Sequence, residues 1–252
     1  MYINILTNIN IFLGLTKNIF NKIKNVYLHS QNYYMLSSSE ENYLKSIYHL
    51  ELLEPKGVST NAIAKKMNTK ASSVTDMVQK LSDKKLVVYK KYQGVQLSKE
   101  GKGIAVYLVR KHRLWECFLV DKLDFAWDEV HEIAEQLEHI KSDDLVDKLD
   151  EFLDFPTIDP HGDPIPDKDG NITKREKIQL SYLEVNQEST LLGVKDSSDE
   201  FLRYLDKNEI AIGQKITVLA KEPFDNSLTI KVGKKEMLIS QKAAHNLYLI
   251  KK

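Results

Sequence analysis

Two neighbouring stretches, Arg110-Lys-His-Arg-Leu-Trp-Glu116 and Val130-His-Glu-Ile-Ala-Glu-Gln-Leu-Glu-His139, place imidazoles and carboxylates at helical intervals. His112 and Glu116 are four apart, so in a helix they share one face. His131, Glu135, Glu138 and His139 follow at i, i+4, i+7 and i+8, again on one face. Any one of these residues alone reads as part of a solvated surface. Six such groups on two consecutive helices can converge on a divalent metal ion, and the donor set suits Mn, Fe, Zn or Co.

The distribution of charge adds a second constraint. The chain of 252 residues has a formal net charge of zero, yet residues 35–99 carry 11 Lys against 6 acids, and residues 100–154 carry 7 basic residues against 15 acids. A basic segment followed by an acidic one suits a polyanion-binding part and a cation-binding part. The single cysteine, Cys117, excludes an internal disulfide and fits a reducing, cytoplasmic setting. It lies in the apolar run Trp115–Val120 and reads as a packed thiol. No apolar stretch is long enough to span a bilayer, so no membrane partner is expected. Residues 1–34, rich in Asn, Ile and Tyr, differ from the Lys/Glu-rich chain that follows and are expected to precede a native start at Met35.

From there the pattern predicts mainly helical structure followed by a β module. Ser38 and Glu41 form a capping-box pattern ahead of Tyr43, Leu44, Ile47 and Tyr48 at helical spacing. Ser59 or Thr60 can cap a short helix over 61–67, and 71–81 forms a third with Val74, Met77, Val78 and Leu81 inward. That leaves Ser72, Ser73, Thr75, Asp76, Gln79 and Lys80 facing outward. Residues 86–92 and 94–97 read as a hairpin with Lys90 and Lys91 near its turn and Lys84 and Lys85 before it. Three helices and a basic hairpin make a winged helix-turn-helix over 35–99. Its small hydroxyl side chains can approach base edges, and its lysines can attract phosphates. Helices are expected over 100–123, 128–139 and 142–153, giving a helical domain over 100–158. The proline-rich segment and polar linker cover 159–177. Short strands over 179–184, 213–220, 227–232 and 236–239, with a helix at 198–205, make a small β-barrel over 178–252.

Several of these motifs, in this order, resemble the diphtheria-toxin-repressor family of metal-dependent repressors. The resemblance is carried by Glu41-Asn-Tyr-Leu-Lys-Ser-Ile-Tyr48, Ser72-Ser-Val-Thr-Asp-Met-Val-Gln-Lys-Leu81, Arg110-Lys-His-Arg-Leu114, Glu138-His139 and Pro160-His-Gly-Asp-Pro-Ile-Pro166, within residues 36–252. It implies a winged helix, a helical metal-binding and dimerisation domain, and a Src-homology-3-like barrel of the FeoA type. It also implies two metal positions. His112, Glu116 and His131 match an ancillary one, to which the barrel would add oxygen ligands such as Asp199 and Glu200. Glu135, Glu138 and His139 match a primary one, with Asn42 at the first-helix position. Iron-type members carry Cys where this chain has Glu135; a carboxylate favours the harder Mn²⁺, with Fe²⁺ as the alternative. Lys45 stands where manganese-type members have a Glu ligand, a departure that bears on metal selectivity.

The expected function is a Mn²⁺- or Fe²⁺-dependent repressor of metal-uptake genes, a homodimer on a palindromic operator in double-stranded DNA, with no small-molecule substrate. Two other classes compete with it. One is a winged-helix regulator responding to an organic ligand. The other is a metalloenzyme, which the sequence disfavours: no Glu lies three residues before a His, and no His-Glu-x-x-His occurs.

Overall fold

The structure, a computed structural model, describes residues 36–90, 94–173 and 175–251. Residues 1–34, Met35 and Lys91 therefore lie outside the described residues. The chain divides into two compact units between Ala105 and Val106.

In the first unit, α1 (Ser38–Glu51), α2 (Thr60–Lys66) and α3 (Ala71–Asp83) precede the antiparallel pair β1 (Val87–Lys90) and β2 (Gly94–Leu97). The capping box of α1 sits one residue earlier than the sequence pattern suggests. Ser37 Oγ accepts from the Glu40 amide at 3.3 Å, and Glu40 Oε2 accepts from the Ser37 amide at 2.8 Å. Ser37, Ser38 and Ser39 are chemically equivalent as caps, and Glu40 and Glu41 as their partners, so the pattern fixes the box only to within a residue. Ser59 caps α2 through the Ala62 amide. Leu44, Ile47, Ile63, Val74, Val78, Leu81, Leu86 and Val95 are buried and form the interior of the unit, while Met77 is only half-buried. Gly94, with φ +87°, lies where a Cβ would stand 2.7 Å from the Val58 carbonyl oxygen, so only glycine lets the hairpin close on the Val58–Val95 bridge.

The helix α4 (Lys99–Leu123) is capped by Ser98, whose Oγ accepts from the Gly101 amide. In the second unit α5 (Val130–Leu137) and α6 (Asp143–Phe152, N-capped by Ser142) pack with α4 around Leu114, Leu119, Val130, Ala134, Val146 and Leu149. The expected helix over 128–139 is shorter at both ends: Glu138 is its C-cap, and His139 follows in a turn. A tight hairpin over 157–165 comes next, closed by the Ile158–Pro164 bridge and by hydrogen bonds between Asp159 and Asp163 and between Ile165 and Thr157. Arg110 and Arg113 on α4 donate to the carbonyls of Pro166 and Pro164 and hold this strap against the helix.

The remainder is a six-stranded antiparallel sheet, ordered β3-β8-β4-β5-β6-β7, around a single apolar core. Its elements are β3 (Lys177–Gln179), the 3₁₀ turn Leu180–Tyr182, β4 (Glu188–Val194), α7 (Asp199–Lys207), β5 (Lys215–Lys221), β6 (Leu228–Val232), β7 (Lys235–Ile239), α8 (Gln241–His245) and β8 (Leu247–Ile250). Register shifts in the β4–β8 and β5–β6 ladders bend the sheet over its core. The ladder leaves β3 and β7 as edges, so pairing does not close the barrel along that seam. Of the strand expected over 179–184, only Gln179 is strand and Leu180–Tyr182 form the 3₁₀ turn, and the sequence pattern misses β4 and β8.

Glu40 also binds the recognition-helix candidate α3: its Oε1 lies 2.6 Å from Lys84 Nζ and 3.4 Å from Lys80 Nζ. Burial pushes its carboxyl up, but the Lys84 hydrogen bond, the Ser37 amide and the charges of Lys84 and Lys80 together hold it down at about 2. A depressed carboxyl stabilises the fold above the unfolded-state value of 4.5 and loses that contribution as pH falls through about 2. Thermal unfolding followed from pH 7 to pH 2 is expected to show a lower melting temperature for Glu40→Gln at neutral pH. Its deficit relative to wild type should vanish at the acid end. A constant deficit across the range would contradict the ionic origin.

Candidate metal centre

The centre is built from α4 outward. His112 and Glu116 lie one turn apart on α4, both buried, and α5 brings His131 and Glu135 to the same place. Glu138, at the cap of α5, is completely buried. His112 stands in the middle. Its Nδ1 is 2.7 Å from Glu138 Oε2 and 3.9 Å from Glu135 Oε1. Its Nε2 is 2.9 Å from Glu116 Oε1 and 3.2 Å from His131 Nδ1. His131 Nδ1 lies 3.5 Å from the same Glu116 oxygen, and its Nε2 lies 3.8 Å from Glu135 Oε1.

Two potential cation positions result, with one imidazole shared between them. One is His112, Glu116 and His131; the other is His112, Glu135 and Glu138. Two donors each about 2.2 Å from an ion and at right angles to each other stand roughly 3.1 Å apart. Donor separations of 2.7–3.9 Å bracket that spacing, so each of these two groups could hold a divalent ion. Every one of these donors is an imidazole nitrogen or a carboxylate oxygen. The only cysteine is buried and belongs to neither group, its thiol directed at the Ile158 carbonyl and its ionisation pushed up by burial and by the acidic neighbours Asp159, Asp121 and Glu116.

The pairing of residues differs from the expectation in one respect. The resemblance groups His112 with Glu116 and His131 alone, yet its Nδ1 makes a shorter contact, with Glu138. A helical wheel gives a face but not which edge of a ring meets which carboxylate. His139 Nε2 is 3.9 Å from Glu138 Oε1, next to the second position but outside the three-residue groups formed among the described residues. Asn42 belongs to the other unit; its Oδ1 is buried and has no hydrogen-bond partner among the described residues. Asp199 and Glu200 do not join either position; Asp199 instead lies 3.5 Å from Arg203 on α7.

Helical spacing does not mark His161 as a site residue, although it lies within Pro160-His-Gly-Asp-Pro-Ile-Pro166. Its Nδ1 is 3.6 Å from Glu116 Oε2, and with Asp159 it forms a third buried group around Glu116. Arg113 Nε, 3.3 Å from Asp159 Oδ2, already supplies a positive charge there, and Asp159 Oδ1 accepts from the His161 and Asp163 amides. No residue spacing relates position 161 to position 116; the hairpin, held to α4 by Arg110 and Arg113, brings them together. Burial pushes the Glu116 carboxyl up, but contacts from His112, His131 and His161 outweigh it and hold it well below the usual carboxylate range. Burial likewise pulls His161 down, and Glu116 and Asp159 reverse this, raising it to about 9.

In the first unit, Ser72, Ser73, Thr75, Asp76, Gln79 and Lys80 are all exposed on α3, as is Lys90 on β1. Thr75 donates to the Ala71 carbonyl, Gln79 to Asp83, and Lys80 leans toward Glu40, which leaves Ser72 and Ser73 at the helix start. Among the described residues no helix is long and apolar enough to cross a membrane.

Comparison with known proteins follows this layout. Residues 35–95 match the iron-dependent repressor N-terminal DNA-binding domain, and residues 98–167 match the iron-dependent repressor metal-binding and dimerisation domain. Residues 178–251 match the FeoA domain. The chain is 34% identical over 133 residues to the iron-dependent repressor IdeR of Mycobacterium bovis, covering 52% of this chain and 56% of that protein. It thus spans just over half the length of that relative. It is 32% identical over 160 residues to the transcriptional regulator MntR of Bacillus pumilus, covering 62% of this chain and all of MntR. Among solved structures, a manganese-dependent transcriptional repressor in complex with manganese superposes with a TM-score of 0.73 at 31% identity, covering 84% of this chain and 100% of that one. Two domain matches that meet at the long helix, a third over the sheet module, and full-length agreement with MntR place this chain in the diphtheria-toxin-repressor family of metal-dependent repressors.

Proposed function

We propose that this protein is a metal-dependent DNA-binding transcriptional repressor in which divalent cation binding by the second unit controls operator binding by the first. The observation that carries the reading is the sharing of His112 between two buried carboxylate clusters. One side is closed by Glu138 and the other by Glu116, at 2.7 and 2.9 Å. Carboxylates as buried as these are costly unless a positive charge faces them. A divalent ion held by His112, Glu116 and His131, or by His112, Glu135 and Glu138 with His139 alongside, supplies that charge and draws α4 and α5 together.

Mn²⁺ is the favoured ion and Fe²⁺ the alternative, because the donors are hard oxygens and borderline nitrogens with no thiolate among them. Support also comes from the relatives, one named for iron and others for manganese. The proposed working form is a cytoplasmic homodimer whose two α3 helices enter successive major grooves of a palindromic site. Ser72, Ser73, Thr75, Asp76, Gln79 and Lys80 would face bases and neighbouring phosphates, and Lys90 and Lys91 phosphates alone. The ion can favour the DNA-competent arrangement only as far as it binds that arrangement more tightly than the other. No catalytic constellation is proposed.

Glu138→Ala tests the cation switch. Operator affinity read by fluorescence anisotropy should rise with Mn²⁺ in wild type and stay at the chelator level in the variant, while far-ultraviolet circular dichroism of the two agrees. Undiminished stimulation by Mn²⁺ in Glu138→Ala would remove this site from the mechanism. The DNA face has its own test. Lys90→Ala is expected to weaken binding to all duplexes alike and to lower the salt slope by about 1, whereas Ser73→Ala should alter sequence preference with the slope unchanged. Identical behaviour of the two variants would contradict the assigned roles.

A further inference from the structure

A recognition helix meets a duplex along one strip of its surface. On α3, Ser73, Asp76, Lys80 and Lys84 follow at spacings of three, four and four, so they line one side of the helix. Lys84 is the C-cap, and the strip therefore ends in two lysines at the surface. Lysines so placed are suited to phosphates, which attract them whatever the base sequence.

Both lysines already have an anionic partner inside their own unit. Glu40 of α1 lies beneath them, with Oε1 2.6 Å from Lys84 Nζ and 3.4 Å from Lys80 Nζ. The two sides of this contact differ in exposure: 34% of the Lys84 side chain and 56% of the Lys80 side chain meet solvent, but only 2% of Glu40 does. The other carboxylate oxygen accepts from the Ser37 amide at 2.8 Å and from the Ser37 hydroxyl at 3.2 Å. Glu40 is thus tied to the start of α1 and cannot follow a lysine that swings outward.

This asymmetry decides which partner keeps the lysines. A carboxylate shut off from water is costly once the cation facing it leaves. A phosphate contact at the surface is screened by salt and returns less. Lys84, with the short contact and the smaller exposure, stays with Glu40. Lys80, farther away and more open, is shared between Glu40 and a duplex.

We propose that Glu40 is a positioning residue that stands in for a DNA phosphate, holding Lys84 and part of the charge of Lys80 against α1 and so keeping sequence-independent binding by α3 weak. The inference rests on the DNA-binding reading of α3 given above and is independent of the cation reading. Each lysine that reaches a phosphate steepens the salt dependence of binding by about 0.9 in the log–log slope. Withholding lysines from that general attraction leaves the choice between sites to base contacts from the N-terminal half of the same helix.

Glu40→Gln removes the charge and keeps the cap, because Gln serves at the same position of a capping box. Binding of the full chain to a random-sequence duplex is read by fluorescence anisotropy in chelator, between about 50 and 200 mM salt. Wild type, Glu40→Gln, Lys80→Ala/Lys84→Ala and the variant carrying all three changes are compared, with circular dichroism to confirm that each is folded. Glu40→Gln is expected to steepen the slope by about 1–2 and to bind about 3–10-fold more tightly at the low-salt end. With both lysines gone, the change at Glu40 is expected to make no difference. An unchanged or shallower slope in Glu40→Gln would overturn the proposal. So would a gain that persists without the two lysines, which would be a general effect of charge. Lys84→Ala supplies a second test that leaves Glu40 in place: its slope should fall by less than about half as much as that of Lys90→Ala, and an equal fall in the two would also overturn the proposal. A wild-type chain that binds no duplex at the low-salt end, with or without Mn²⁺, would overturn the DNA-binding reading and this proposal with it; the other outcomes leave that reading standing.

Discussion

The second unit depends on how the charge of Glu116 and Glu138 is balanced. Both carboxylates are removed from water, and the groups facing them are imidazoles: His112 between the two, His131 and His161 around Glu116, and His139 beside Glu138. An imidazole balances a carboxylate by donating a proton, or by sharing an ion with it. On the proposed reading, a divalent cation replaces protons in this arrangement and ties cation binding to the spacing of α4 and α5.

Around this centre the fold supplies rigidity by separate means. Arg110 is held between Asp150 and the Pro166 carbonyl, and Arg113 between Asp159, Asp163 and the Pro164 carbonyl, so the 157–165 strap is fixed to α4 by charge-assisted hydrogen bonds. The strap in turn meets β4 through backbone atoms at two glycines, an approach that side chains would prevent. The same strap therefore approaches Glu116 through His161 and β4 through Gly162. In the first unit the same economy recurs on a smaller scale, with Glu40 both closing the cap of α1 and drawing Lys80 and Lys84 of α3 toward it.

Much of the centre was legible because helical periodicity is strong. His112, Glu116, His131, Glu135 and Glu138 can be read at their spacings, and the structure brings them together as two groups of three that share His112. The orientation of His112 toward both clusters was not legible, because it depends on the packing of α4 against α5 rather than on either sequence. His161 was beyond the reach of periodicity, since a hairpin and two arginine clamps place it. In the sheet module, β4 was missed because Glu188–Val194 is buried along most of its length and lacks polar–apolar alternation. Its Leu-rich run carries no β-specific pattern. The exposed face of α3 is legible in the sequence because a half-buried helix beside a small core shows its period clearly, as Val74, Val78 and Leu81 do.

The central claim is that closure of these carboxylates and imidazoles on a cation governs the grip on a duplex. The most direct measurement is binding of the wild-type chain to duplexes enriched by it from a randomised pool in Mn²⁺. Affinity is then measured in chelator and after adding Mn²⁺, Fe²⁺ or Zn²⁺ separately without oxygen. The account predicts weak, sequence-indifferent binding in chelator and a gain of at least tenfold with Mn²⁺ or Fe²⁺ on the enriched sequence alone. Equal, sequence-selective affinity with and without metal would contradict it.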